Sequence, residues 1–210
     1  MTACFLARRY ACRVVGVDIR ARMVERSAER ARKEGMADRV EFRVADVQDL
    51  PFEDSMFDGV ITESVTTFPE DKQRAVNEYV RVTRPGGYVG LAESTWLEVP
   101  PPPELVAWAS QDVGACVQPL TADEWVCLLE NAGLQDIIAR IHPVDVKKEA
   151  VLLLRRYGYG GMIDSAFRAL VMYFRNPAYR KFVKDVRKGG AVPENLAEYF
   201  GYGMYVGRKG

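Results

Sequence analysis

Apolar and polar positions follow two alternating periods along the first half of the chain. Val14-Val15-Gly16-Val17 is an unbroken apolar run that closes on Asp18 and Ile19, as a strand buried on both faces does. This predicts a strand over residues 13–19, and similar runs predict strands over 39–45 (ending at Asp46), 57–62 and 88–93. The stretches between them carry a helical period. Residues 2–11 place Phe5, Leu6 and Tyr10 on one face; residues 20–34 end before Gly35, where a left-handed backbone closes helices; residues 71–83 align Ala75, Val76, Tyr79, Val80 and Val82. Pro85-Gly86-Gly87 reads as a tight turn that stops the last of these. Strands alternating with helices predict an α/β fold, a doubly wound and mostly parallel sheet.

The second half is less regular. The prolines at 100–103 predict an extended, exposed segment. Residues 121–131 predict a helix that opens with a capping signature, Thr121 followed by Glu124, and closes near Gly133. A strand over 137–146 is limited by Pro143, residues 149–188 read as helices, and 202–207 as a short last strand. In the helical stretch Phe167, Leu170, Val171 and Phe174 share one face, as do Phe182, Val183 and Val186; such stripes, like Tyr199, Tyr202 and Tyr205, are expected to pack in a core.

Composition narrows the function classes. In 210 residues, 29 basic and 29 acidic side chains cancel, leaving only a local basic patch as a route to a polyanion, and no nucleic-acid partner is expected. Cys4, Cys12, Cys116 and Cys127 form no CxxC pair and His142 is the single histidine, so no metal site is expected. Scattered thiols fit a reducing, cytoplasmic setting. No apolar run approaches the roughly 18 residues of a membrane span, and the first ten residues lack the pattern of a signal peptide.

Three features fall in order: Asp18 at a strand end; Val44-Ala45-Asp46-Val47-Gln48-Asp49-Leu50-Pro51-Phe52, a strand end and loop; and Phe57-Asp58-Gly59-Val60-Ile61, followed by Arg84-Pro85-Gly86-Gly87-Tyr88. Together they resemble class I S-adenosylmethionine-dependent methyltransferases, in particular the ubiquinone/menaquinone and small-molecule branch. The resemblance covers residues 1–95 well and 120–142 loosely. It implies a Rossmann-like sheet and S-adenosyl-L-methionine as cofactor. It further implies that Asp18 holds the ribose hydroxyls, that Ile19 packs on the adenine, and that Asp46 and the Val47 amide meet the adenine edge. Glu63 and Ser64 would line the methionine end. Ionised acids suit these tasks because charge-assisted hydrogen bonds are about twice as strong as neutral ones. Each acid also has a plainer reading: Asp18 as a helix cap, Asp46 as a turn residue, Glu63 as a solvated loop acid.

The chain departs from the family pattern at its start, where a strand and a glycine-rich loop would precede the first helix. The expectation is therefore a sheet with its first strand missing, and a Met1 that is internal to a longer protein. The family passes from its sixth to its seventh strand by a short hairpin; here a helical cap, residues 147–196, is expected as an insertion in a domain of residues 1–146 and 197–210. With Trp96, Trp108 and the prolines as the other wall, an apolar, aromatic cap suits a small organic or lipid-like acceptor; a homodimer interface is the alternative use of these surfaces. Methyl transfer depends mainly on alignment and needs a base only if the acceptor must lose a proton. Glu63, Glu93 and His142 are the candidates for that base. The competing readings are a non-catalytic binding protein of this fold and an NAD-dependent oxidoreductase, which also uses a strand-end acid.

Overall fold

The computed structural model describes residues 2–111, 118–144, 146–188 and 196–210. The elements run α1 Thr2–Tyr10, β1 Val14–Asp18, α2 Ala21–Lys33, β2 Val40–Val44, β3 Phe57–Glu63, α3 Lys72–Val82, β4 Thr83–Trp96, α4 Pro103–Gln111, β5 Leu120–Thr121, α5 Ala122–Asn131, β6 Leu134–Pro143, α6 Val146–Arg175, α7 Pro177–Lys188, α8 Leu196–Tyr199 and β7 Phe200–Lys209.

The strands form two sheets. β1 and β2 pair in parallel, with Asp18 opposite Val44. The second sheet runs β3-β4-β7-β6, with β5 paired to β4. β3 is parallel to β4, whereas β7 is antiparallel to both its neighbours. Among the described residues no ladder joins the two sheets: β1 pairs with β2 alone and β3 with β4 alone. α1 and α2 pack on the small sheet, while α3 and α5 cover one face of the larger one.

The main core lies under α3 and α5. Ala75, Val76, Tyr79 and Val82 meet Trp125, Leu129, Val89, Leu91, Leu134 and Tyr205 there. β7 alternates strictly, with Gly201, Gly203, Tyr205 and Gly207 facing in and the residues between them facing out. The sheet's other face is apolar and open: Ile61, Tyr88, Ile138, Tyr202, Met204 and Val206 are exposed. Among the described residues no helix is long and apolar enough to cross a membrane.

The elements end where local chemistry requires. Asp71 caps α3 by accepting from the Arg74 amide at 2.8 Å. Thr121 and Glu124 form the expected reciprocal capping box of α5. Gly35, just past α2, has φ +67°, which glycine adopts at no steric cost.

Several expectations are corrected. Pro85-Gly86-Gly87 is not a free turn; it bulges within β4, where Thr83 to Tyr88 stand opposite only Phe57 to Gly59. The extended proline segment ends at Pro103, which opens α4, a position that tolerates a missing amide. Trp96 is no cleft wall: it is buried with Leu105 and Leu196 and stacks edge-on against Phe200 at 5.8 Å. The Phe167–Phe174 stripe is not core either, since no described element packs over it; Phe167 and Phe174 are 62% and 68% exposed. Of the expected packing tyrosines, Tyr205 is buried and Tyr202 is exposed. Cys116 and the side chains of Trp108, Phe182 and Val186 lie outside the described residues.

One close approach yields a test. The Tyr205 ring lies where a side chain on Gly203 would begin, and its hydroxyl meets Thr95 Oγ1 at 2.8 Å. Gly203→Ala should force the ring out and lower unfolding stability by about 1–3 kcal/mol, read from the urea midpoint; Gly160→Ala, which meets nothing and lies inside α6, should not lower the midpoint.

Candidate active site

The carboxyl ends of β1 and β2 bring two acids together. Asp18 ends β1, Asp46 follows β2 by two residues, and the Ala45 amide donates to the Asp18 carbonyl at 3.2 Å. Both are half-buried. Asp18 Oδ1 accepts from the Arg20 amide at 2.8 Å, which leaves Oδ2 for a ligand. Asp46 Oδ1 accepts from the Gln48 amide at 2.9 Å. The plainer turn roles are therefore filled as well, and they hold each carboxyl in place. Ile19 beside Asp18 is 67% exposed, whereas Val47 packs against the main core, which fixes the backbone after Asp46.

The loop carrying Asp46 is clamped to α3. Arg81 donates to the carbonyls of Leu50 at 3.0 Å and Phe52 at 2.8 Å, and to Asp54 Oδ1 at 2.7 Å. The same guanidinium meets Glu78 at 2.6 and 2.8 Å, and Glu78 Oε2 accepts from the Leu50 amide at 2.8 Å. Arg74 Nε adds a bond to the Gln48 carbonyl at 2.8 Å. The Arg81 bond holds the Glu78 carboxyl below its ordinary range, with burial opposing and the Leu50 amide assisting.

At the end of β3 the chain turns sharply. Ser64 takes φ +51°, a left-handed conformation that a non-glycine residue holds only when its surroundings enforce it. Here the Ser64 amide donates to the Ala92 carbonyl at 2.8 Å. Behind the turn Glu93, 0% exposed, accepts through Oε1 from the amides of Val65 at 3.1 Å and Thr66 at 2.9 Å and from the Thr62 hydroxyl at 3.1 Å. Its Oε2 is buried without a partner among the described residues. Thr66 Oγ1 stands 3.4 Å from the Tyr79 hydroxyl. Burial pushes the Tyr79 phenol far above its usual value, Thr66 opposes this, and Glu93 and Asp46 add to it. Burial pulls the Lys72 ammonium down, and Glu93 pulls it partly back.

The candidates thus fall into three groups. Asp18, Ile19, Asp46 and Val47 gather at the end of the small sheet. Glu63, Ser64 and Glu93 gather at the end of the large one, where exposed Glu63 accepts from the Thr2 hydroxyl at 2.8 Å. Glu93 is enclosed, so its place is to shape the turn rather than to meet an acceptor. His142 stands apart: it is on β6, three strands from β3, about 14 Å at the usual strand spacing. Thr62, Thr66, Lys72, Glu78 and Arg81 surround the candidate residues without having been singled out from the sequence, and Tyr79 was read there only as part of the α3 stripe. Only the i,i+3 spacing of Glu78 and Arg81 on a helix was a readable signal.

The profile of the family described as "Methyltransferase domain" matches residues 1–91. A 27-O-demethylrifamycin SV methyltransferase of Amycolatopsis mediterranei is 38% identical over 126 residues, which is 58% of this chain and 45% of that protein. The chain spans about half the length of the curated relatives it matches. Among solved structures, phosphoethanolamine N-methyltransferase 2 of Haemonchus contortus, in complex with S-adenosyl-L-methionine, has a TM-score of 0.70 at 20% identity, covering 97% of this chain and 45% of that one. The cyclase SpnF has a TM-score of 0.70 at 23% identity, covering 99% and 70%. These likenesses establish a Rossmann-like α/β fold of the class I methyltransferase type, a fold that also serves a cyclase.

Two tests follow from the clamp and the buried phenol. Arg81→Lys keeps the charge but not the planar fork; it should lower stability by about 1–2 kcal/mol and speed hydrogen exchange in residues 46–54. Unfolded Tyr79 ionises near its ordinary 10.0 and folded Tyr79 only at higher pH. Its contribution is therefore complete below pH 10 and lost as pH rises beyond it. Lys72, lowered from 10.5, acts in the opposite sense, so the difference between variants isolates the phenol: between pH 9 and 11.5 the urea midpoint of Tyr79→Phe should fall less steeply than that of the unmodified chain.

Proposed function

We propose, from the match of residues 1–91 to the methyltransferase domain family, that this chain binds S-adenosyl-L-methionine and supports methyl transfer to a small organic or lipid-like acceptor. The observation that carries the reading is the pairing of Asp18 and Asp46 at adjacent parallel strand ends, each half-buried and each fixed by a local amide. The donor set fits the cofactor: a carboxyl with a free oxygen for vicinal hydroxyls, an exposed isoleucine for an aromatic face, and a second acid for an exocyclic amine. In this reading Asp18 holds the ribose, Ile19 and Val47 flank the adenine, and the strained Glu63–Ser64 turn holds the methionine end. When bound, the cofactor supplies an electrophilic methyl on a sulfonium. The chain's part is to align it, and acids around the site favour its positive charge.

The helical insertion, residues 147–196, would stand on the acceptor side. The relative named a 27-O-demethylrifamycin SV methyltransferase supports an organic acceptor. A binding role without transfer is the second reading; the facing edges of β1 and β3 have no described strand between them. A strand and glycine-rich turn ahead of Thr2 would fill that place and bring backbone against the cofactor.

Calorimetry decides between the readings. S-adenosylmethionine and S-adenosylhomocysteine should bind, more tightly to a form carrying a strand and glycine-rich turn before Thr2. Asp18→Asn, which keeps the acceptor for the Arg20 amide, should weaken both roughly tenfold to a hundredfold, the cost of one charge-assisted contact. Binding of NAD in place of both would reject the proposal, and binding of none by either form would favour the non-catalytic role.

A further inference from the structure

Charge sets the segment between β6 and β7 apart from the rest. Residues 146–188 hold eleven Lys and Arg against three Asp and Glu, an excess of eight positive charges in a chain of formal charge zero. The remainder therefore carries eight negative charges. This basic segment also has an apolar stripe. Ile163, Phe167, Leu170 and Phe174 recur at i, i+4, i+7 and i+11 on α6, one face of a helix, and are 71%, 62%, 54% and 68% exposed. Besides α7, no described element packs closely on α6.

Cations border the stripe. A groove of about 470 Å³ along it is lined by Phe167, Leu170, Val171, Phe174 and Arg175. Arg180 donates to the Phe174 carbonyl at 2.9 Å, which places a second guanidinium at the end of α6. Lys181 and Lys184 of α7 are exposed. Asp164, the acid within the stripe's span, is taken by Arg168 at 2.8 Å.

We propose that the α6–α7 pair docks on an anionic lipid bilayer, with the stripe entering the boundary between headgroups and acyl chains and the cations meeting lipid phosphates. Apolar rings flanked by Lys and Arg on a helix that cannot cross a membrane are the arrangement that lies in such an interface. Cations alone would serve a nucleic acid equally well, but four large apolar side chains gain nothing from a phosphate backbone. A symmetric contact between two copies would bring one excess of eight positive charges against another. The proposal does not rest on methyl transfer: vesicle binding can fail while cofactor binding stands, and the reverse.

Flotation of the full chain with vesicles tests it. Vesicles of phosphatidylcholine with one-third phosphatidylglycerol should bind at least tenfold more tightly than phosphatidylcholine alone, and raised salt should weaken the binding. Lys181→Glu with Lys184→Glu, and separately Phe167→Ser with Phe174→Ser, should each reduce it about tenfold, with far-UV circular dichroism unchanged. Absence of binding to the anionic vesicles would overturn the proposal. So would binding that ignores the phenylalanine substitutions and is matched by duplex DNA, which would mark a general polyanion patch. A dimer that those same substitutions dissociate in the absence of lipid would overturn it too, by making the stripe a contact between copies.

Discussion

Among the described residues the two sheets share no backbone ladder, so the clamp of Arg81 on the loop after β2 is the interaction on which the candidate site depends. One guanidinium binds the Leu50 and Phe52 carbonyls, Asp54 and Glu78. Its planar fork allows several bonds in fixed directions, which an ammonium could not reproduce. The clamp ties the loop from Asp46 to Asp54 to α3, and α3 is the helix that packs the core of the larger sheet. Ala45 and Leu50 enter that same core. The acid at Asp46, beside the small sheet, is thus held relative to the large one by side-chain bonds and packing, where a continuous sheet would use strand pairing.

A second constraint is polar and buried. Glu93 sits where β4 would otherwise present an apolar side chain, and it satisfies the amides of a turn that no strand can pair. A buried amide without an acceptor costs roughly 1–3 kcal/mol, so the carboxyl stabilises the one conformation in which Ser64 holds its left-handed backbone. Thr62, Thr66 and Tyr79 extend the network into α3. The arrangement links the two halves of the site again: the Tyr79 phenol responds to both Glu93 and Asp46.

Much of the fold was legible in the chain. The strand ending at Asp18, the strand before Asp46, the α3 stripe and the Thr121–Glu124 capping box all stand where the pattern places them, because burial and capping act over a few residues and leave local periodicity. The Phe167–Phe174 stripe shows the limit of the same reasoning. Helical spacing tells which side chains share a face, but not whether another element covers that face, and here none of those described does. Trp96 shows the converse: an aromatic expected at a cleft is enclosed by Leu105, Leu196 and Phe200 from distant parts of the chain.

The site divides along the same line. The sequence by itself determined the residue types at the strand ends, since a carboxyl following an apolar β-branched run is a local fact. It also held the charge segregation of residues 146–188, which needs no coordinates. Only the tertiary structure decided that Glu93 is enclosed, that His142 stands three strands from β3, and that Arg81 rather than any strand carries the Asp46 loop. Those outcomes depend on contacts between residues thirty-one positions apart or more, such as Arg81 with Leu50, Glu93 with Thr62 and β4 with β7, and separations of that kind leave no trace in local pattern because chain folding, not spacing, sets who meets whom.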